Sequence, residues 1–166
     1  MKHILLILAL VSSPVFAGWD IGFHGGAVSS SSPVVSESEI AIDVGYGTDN
    51  LRVEVSALSG VGVKLGGKVG KWRLYAGANV HTAHRRDYVN ILGKDVLGKG
   101  DGTLTGVFAE AQFNFEESDY VFLRLGQRQG NITYKARRFD TGTMVSGAKT
   151  TLVEDTVLWL GLRHYF

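Results

Sequence analysis

The chain closes on Thr156-Val157-Leu158-Trp159-Leu160-Gly161-Leu162-Arg163-His164-Tyr165-Phe166, and the reading of this stretch decides the fold. Leu158, Leu160, Leu162 and Phe166 share one parity, with His164 the only polar member of their row. Val157, Trp159, Gly161, Arg163 and Tyr165 share the other. A strand sends alternate side chains to opposite faces. One face here is therefore apolar and ends in an aromatic residue.

The same alternation recurs upstream, divided by turn residues. Trp19, Ile21 and Phe23 stand against Asp20, Gly22 and His24, and Ile40, Ile42, Val44 and Tyr46 against Glu39, Ala41, Asp43 and Gly45. Leu51, Val53 and Val55 oppose Arg52, Glu54 and Ser56, and Val61, Val63 and Leu65 oppose Gly62, Lys64 and Gly66. Trp72, Leu74, Ala76, Ala78 and Val80 face away from Arg73, Tyr75, Gly77, Asn79 and His81. Val107 to Phe115 and Val121 to Leu125 repeat the pattern, against Phe108, Glu110 and Gln112 and against Phe122, Arg124 and Arg128. Gly47-Thr48-Asp49-Asn50, Gly70-Lys71 and Glu116-Glu117-Ser118-Asp119 have the composition of tight turns. The count is eight strands, an even number, each near the length that crosses a bilayer at a tilt. Three longer polar stretches, about 29–37, 85–102 and 137–150, are expected to be loops at the far end, with strand seven continuing to about Ala136. The turn at Ser59-Gly60, on that same end, is unusually short.

Two assignments of faces are possible. A soluble eight-stranded barrel buries its apolar row inside; a membrane barrel turns it outward. Charge decides between them. Asp20, Asp43, Arg52, Glu54, Lys64, Arg73, Glu110, Arg124, Arg128, Asp155 and Arg163 all fall on the row opposite the apolar one, with Glu39 and, less surely by pattern, Lys68. Trp19, Tyr46, Trp72, Phe115 and Phe166 fall on the apolar row at the ends that meet the short turns or the termini. Rings gathered at one level fit a membrane interface. The expected architecture is all-β: an eight-stranded antiparallel up-and-down transmembrane β-barrel with apolar residues outward.

The start of the chain agrees. Lys2 and His3 precede a compact apolar run, Ile4 to Val11, too short to span a bilayer as a helix. Val15-Phe16-Ala17 supplies small residues where a signal peptidase cuts. Residues 1–17 read as a cleaved signal peptide and 18–166 as one barrel domain. The chain has no Cys, which excludes disulfides and a lipid anchor on Cys. Of 17 Lys and Arg, Lys2 leaves with the leader, so 16 remain against 16 Asp and Glu. That balance argues against a nucleic-acid partner.

The alternation and terminal Phe166 resemble the small outer-membrane barrels of the OmpA transmembrane domain, OmpX and opacity-protein type. The resemblance covers the whole mature chain and rests on architecture, not on a diagnostic motif. It implies location in the bacterial outer membrane, surroundings of lipid and lipopolysaccharide, recognition of the last strand by the barrel-assembly machinery, and a monomer. Members serve as envelope-stabilising proteins, adhesins and resistance factors; a few related barrels are lipid A enzymes.

An eight-stranded barrel is narrow enough to be filled by its own side chains. Near-balance of inward charge points to a closed, paired network, because an unpaired buried charge is costly. A gated ion path is the alternative. Cations outnumber anions in the outer segments, where Arg85, Arg86, Lys94, Lys99, Arg137 and Arg138 are the candidate contacts for lipopolysaccharide phosphate or an external surface. No cofactor or metal is expected: His81 and His84 lie three apart and so face opposite ways on a strand. A lipid A hydrolase would need Ser, His and a carboxylate to converge, and His24, His84, Asp87 and the serines at 29–32 are its only available parts. The glycines from Gly60 to Gly67 lack the spacing of a phosphate loop.

Overall fold

The computed structural model describes residues 17–30, 37–56, 60–91, 93–140 and 143–166; side chains at 37–39, 87, 94–96, 136–140 and 143–146 are outside that description. The leader read at 1–17 lies outside it except for Ala17. Among the described residues there are eight strands: β1 (Gly18–Ser30), β2 (Glu37–Gly47), β3 (Leu51–Ser56), β4 (Gly60–Val69), β5 (Trp72–Ile91), β6 (Lys94–Glu116), β7 (Asp119–Asp140) and β8 (Thr143–Tyr165). Each pairs antiparallel with its sequence neighbour, and β8 returns to β1 to close the ring.

Closure removes every sheet edge from the belt where a lipid-facing backbone could not be hydrated. Register sets the two faces. At the seam Asp20 lies opposite Tyr165 and Gly22 opposite Arg163, which keeps the charged parity of both strands inside. Trp19, Phe23, Val55, Leu74, Leu125 and Leu160 are exposed on the outside, each by about half of its surface or more. Asp20, Asp43, Arg52, Lys64, Glu110, Arg124 and Arg163 are buried within. Lys68 departs from the expected inward row. It sits exposed next to the β4–β5 turn, where the barrel has ended and water is available.

The turns at the end bearing the termini are tight. Gly70 has φ of +62° in the β4–β5 hairpin, a conformation that costs glycine little. Thr48 N–H donates to Leu51 O at 2.8 Å, and Leu51 N–H donates back to Thr48 Oγ1 at 2.9 Å. A register shift between Asn114 and Glu116 marks a bulge before the β6–β7 turn. At this same end the Trp19 and Tyr46 rings pack at 4.7 Å, and those of Trp72 and Phe113 at 4.9 Å. Phe115 and Phe166 are exposed there as well, Phe166 against His164.

The other end corrects the loop assignments. Most of the expected loops at about 85–102 and 137–150 is strand: β5 and β6 stay paired to Ile91 and Lys94, and β7 and β8 to Asp140 and Thr143, while most of the expected loop at 29–37 lies outside the described residues. Beyond lipid the outward face of a strand meets water, so the apolar outward row fades while the backbone ladder continues. The inner face remains apolar, and Ala83, Val89, Ile91, Leu104, Ile132, Tyr134 and Val153 form a buried cluster above the barrel. The β3–β4 hairpin, by contrast, stops at Ser56 and Gly60. The wall is therefore lopsided, tall over β5–β8 and low over β3–β4.

Candidate functional site

Period-two alternation turns every second residue of each strand inward, and the barrel's small radius forces those residues into contact. The central layer holds four carboxylates, Asp20, Asp43, Glu54 and Glu110, and four cations, Arg52, Lys64, Arg124 and Arg163. Arg163 Nη1 donates to Asp20 Oδ1 at 2.5 Å, and Arg52 donates to the other oxygen of Asp20. Arg163 Nη2 also reaches Asp43 at 3.2 Å and lies 3.5 Å from Glu54. Glu54 pairs with Arg124 at 2.7 Å and with Lys64 at 3.3 Å. Glu110 accepts from Lys64 Nζ at 2.7 Å, Arg124 Nε at 2.6 Å and Gln112 Nε2 at 2.6 Å. Four negative and four positive groups cancel, which suits charges removed from water.

Aromatic rings complete the packing around these ions. Arg124 lies over Phe108 at 4.3 Å, Arg163 over Phe122 at 5.1 Å, and Arg73 over Tyr165 at 4.1 Å. Gly77 makes room for this arrangement, since a Cβ there would fall 2.4 Å from Phe108 Cζ. Arg52, Lys64 and Arg163 are at most 2 % exposed. The paired side chains fill the lumen at this level.

Three charged residues of the interior row sit apart from that layer. Arg73 pairs with Asp49 at 2.9 Å near the short turns. Arg128 and Asp155 lie beyond the layer, 3.6 Å apart, on the row Gly62–Asn79–Gly106–Arg128–Asp155–Ser30 that runs strand to strand. This row borders a cavity of about 1020 Å³, and Gly62 and Gly106 contribute no side chains to fill it. Asp155 also pairs with Arg85, which in turn donates to Ser30 Oγ at 3.0 Å.

Arg85 is thus a correction to the set of surface cations. It continues the inward parity of Arg73, Tyr75 and His81 along a strand that runs on to Ile91, past the end its sequence pattern suggests. Arg86 and Lys99 are exposed on the outward parity. Lys94, Arg137 and Arg138 lie on described strand backbone, with the side chains of all three outside the description. The structure brings Arg86 and Lys99 together as direct cross-strand partners and joins Lys135 to them. Lys135 is not among the candidate contacts named from the sequence.

His24 lies 3.3 Å from Asp43, and with Ser56 they border a void of about 10 Å³. Ser56 Oγ has no hydrogen-bond partner, so no Ser–His relay is formed there. His81 is buried and His84 is exposed, with His84 paired to Asp101 at 2.7 Å.

No protein-family model matches the chain, and no curated protein matches it in sequence. Among solved structures, the outer membrane protein AlkL, determined by solid-state NMR in DMPC lipid bilayers, matches with a TM-score of 0.57. The match covers 93 % of this chain and 92 % of that one at 11 % identity. The fold is that of an outer-membrane β-barrel. Ail of Yersinia pestis and OprG of Pseudomonas aeruginosa also match, at 16 % and 11 % identity and TM-scores of 0.37 and 0.39. Both matches cover 90 % of this chain, with 97 % of Ail and 96 % of OprG, and are too loose to carry an argument.

Proposed function

We propose that this chain is an exported, integral protein of the bacterial outer membrane, closed to ions and without catalytic activity. In this reading it serves envelope integrity or surface interaction through its external hairpins. One observation carries the proposal: an apolar exterior surrounds an interior whose four carboxylates and four cations are buried and mutually paired. An exterior of that kind is favourable in hydrocarbon and unfavourable in water. An interior of that kind leaves no aqueous passage. What remains accessible is the polar extension of β5–β8, which stands beyond the apolar belt on the side opposite the termini.

The test combines fractionation with conductance. The protein is expected in the outer-membrane fraction, with a gel band that shifts on boiling, and to give no steady conductance in planar bilayers. An unshifted band in the soluble fraction overturns the barrel in lipid. A steady conductance that changes with Glu110→Gln or Arg124→Gln overturns the closed lumen in favour of a gated path.

A further inference from the structure

The external extension carries a feature that a merely solvated surface does not need. Arg86 lies directly opposite Lys99 on β6, and Lys99 directly opposite Lys135 on β7. All three are exposed on the outward face. Among the described residues none of them forms an ion pair. Like charges placed directly across a ladder repel and destabilise the pair. The adjoining row toward the membrane shows the alternative: His84 pairs with Asp101 at 2.7 Å, and the hydroxyls of Thr133 and Thr150 meet at 2.9 Å. In the row beyond the cations, Tyr88 faces Leu97, and these are 64 % and 56 % exposed. Three converging cations beside an exposed ring and an apolar side chain suit a ligand that has both phosphate and sugar faces.

Height selects the source. On the membrane side of the cation row, the apolar outward runs of β5 and β6 end at Val80 and Val107, six and eight residues from Arg86 and Lys99 (86 − 80; 107 − 99). At about 3.3 Å per residue and a tilt of about 40°, the row stands roughly 15–20 Å beyond the belt. The headgroup zone of a bilayer occupies only about 5–8 Å on each side. We infer that the outward row Arg86–Lys99–Lys135, flanked by Tyr88 and Leu97, binds a phosphate-bearing saccharide of lipopolysaccharide, in the sugar layer above lipid A. The inference rests on the outer-membrane reading above and names the ligand of its exposed extension.

The probe is deacylated lipopolysaccharide, a soluble oligosaccharide that keeps its core phosphates, titrated against the full barrel refolded in detergent micelles. The same oligosaccharide stripped of phosphate is the second arm, and intact lipid A the third. Arg86→Gln/Lys99→Gln/Lys135→Gln and Tyr88→Ala are compared with wild type, each checked for the band shift on boiling. Wild type is expected to bind the phosphorylated oligosaccharide, and the triple variant to bind it about tenfold more weakly. Removing phosphate should weaken wild-type binding to a similar degree, and Tyr88→Ala should weaken binding of both saccharides. Equal binding of the two oligosaccharides, unchanged binding by a folded triple variant, or binding of lipid A alone overturns the inference. A barrel that fails to reach the outer membrane overturns the underlying reading instead, and fractionation shows which of the two has failed.

Discussion

Replacing Glu110 by Gln removes one charge from the middle of the lumen and changes almost nothing else in shape. In the wild type Glu110 is 2 % exposed and accepts from Lys64, Arg124 and Gln112 at 2.6–2.7 Å. The central layer then holds four cations against three anions. Removing one partner of a buried ion pair costs about 3–5 kcal/mol. Glu54 remains 3.3 Å from Lys64 and 2.7 Å from Arg124, so part of the field survives and the lower end, about 3 kcal/mol, is expected. Lys64→Met in the Glu110→Gln background restores neutrality at similar volume. The double variant should recover to within about 1 kcal/mol of wild type, which gives a large favourable coupling in the mutant cycle. Equilibrium urea unfolding in phospholipid vesicles measures both, with Trp159 as a fluorescent reporter because it lies buried 5.6 Å from Arg124. A Glu110→Gln variant within 1 kcal/mol of wild type, or a double variant no more stable than the single, refutes the balanced-layer account.

Three further outcomes follow from other parts of the barrel. Leu160→Arg, on the exposed apolar face of β8, should cost about 2–4 kcal/mol in bilayers, read from the same urea titration. Gly77→Ala should cost about 1–3 kcal/mol because its Cβ meets the Phe108 ring that lies over Arg124, and Gly77→Ala/Phe108→Leu should recover part of the loss. Phe166→Ala should lower the amount of folded barrel in the outer membrane of cells while leaving refolding in detergent unchanged, as counted by the heat-shifted band. An equal defect in both settings would assign Phe166 to barrel stability instead of recognition by the assembly machinery.

The membrane-spanning part was legible in the sequence because lipid and lumen impose opposite demands on successive residues. Leu158, Leu160 and Leu162 against Trp159 and Arg163 needed no knowledge of the fold to be sorted. The extension was not legible, because the outward side of Arg86, Lys99 and Lys135 meets water and carries no apolar signal. Its inner row did keep one, in Ala83, Val89 and Ile91 with Leu104 and Val153, but at a spacing that polar neighbours obscured. Ending β5 at His81 hid the inward parity of Arg85 and so placed it on the surface. The pairing of carboxylate with cation could not be read from one dimension either. Asp20 and Arg163 are 143 positions apart and meet only through the ring, and Phe108 and Phe122 gave no sign on their own of lying beneath guanidinium groups.

The seam between β1 and β8 gives this barrel a way of checking its own alignment. Sliding one strand by a single residue turns its faces over, sending Asp20 and His24 toward hydrocarbon, where a charged side chain is destabilising. Sliding by two keeps oil outside and charge inside, so hydrophobicity alone is blind to it. Such a slip parts Asp20 from Arg163 and carries it away from Arg52, leaving buried charges without partners. Lipid rejects the odd errors and the ion pairs reject the even ones, so a protein with no disulfide can join its two ends in a single register.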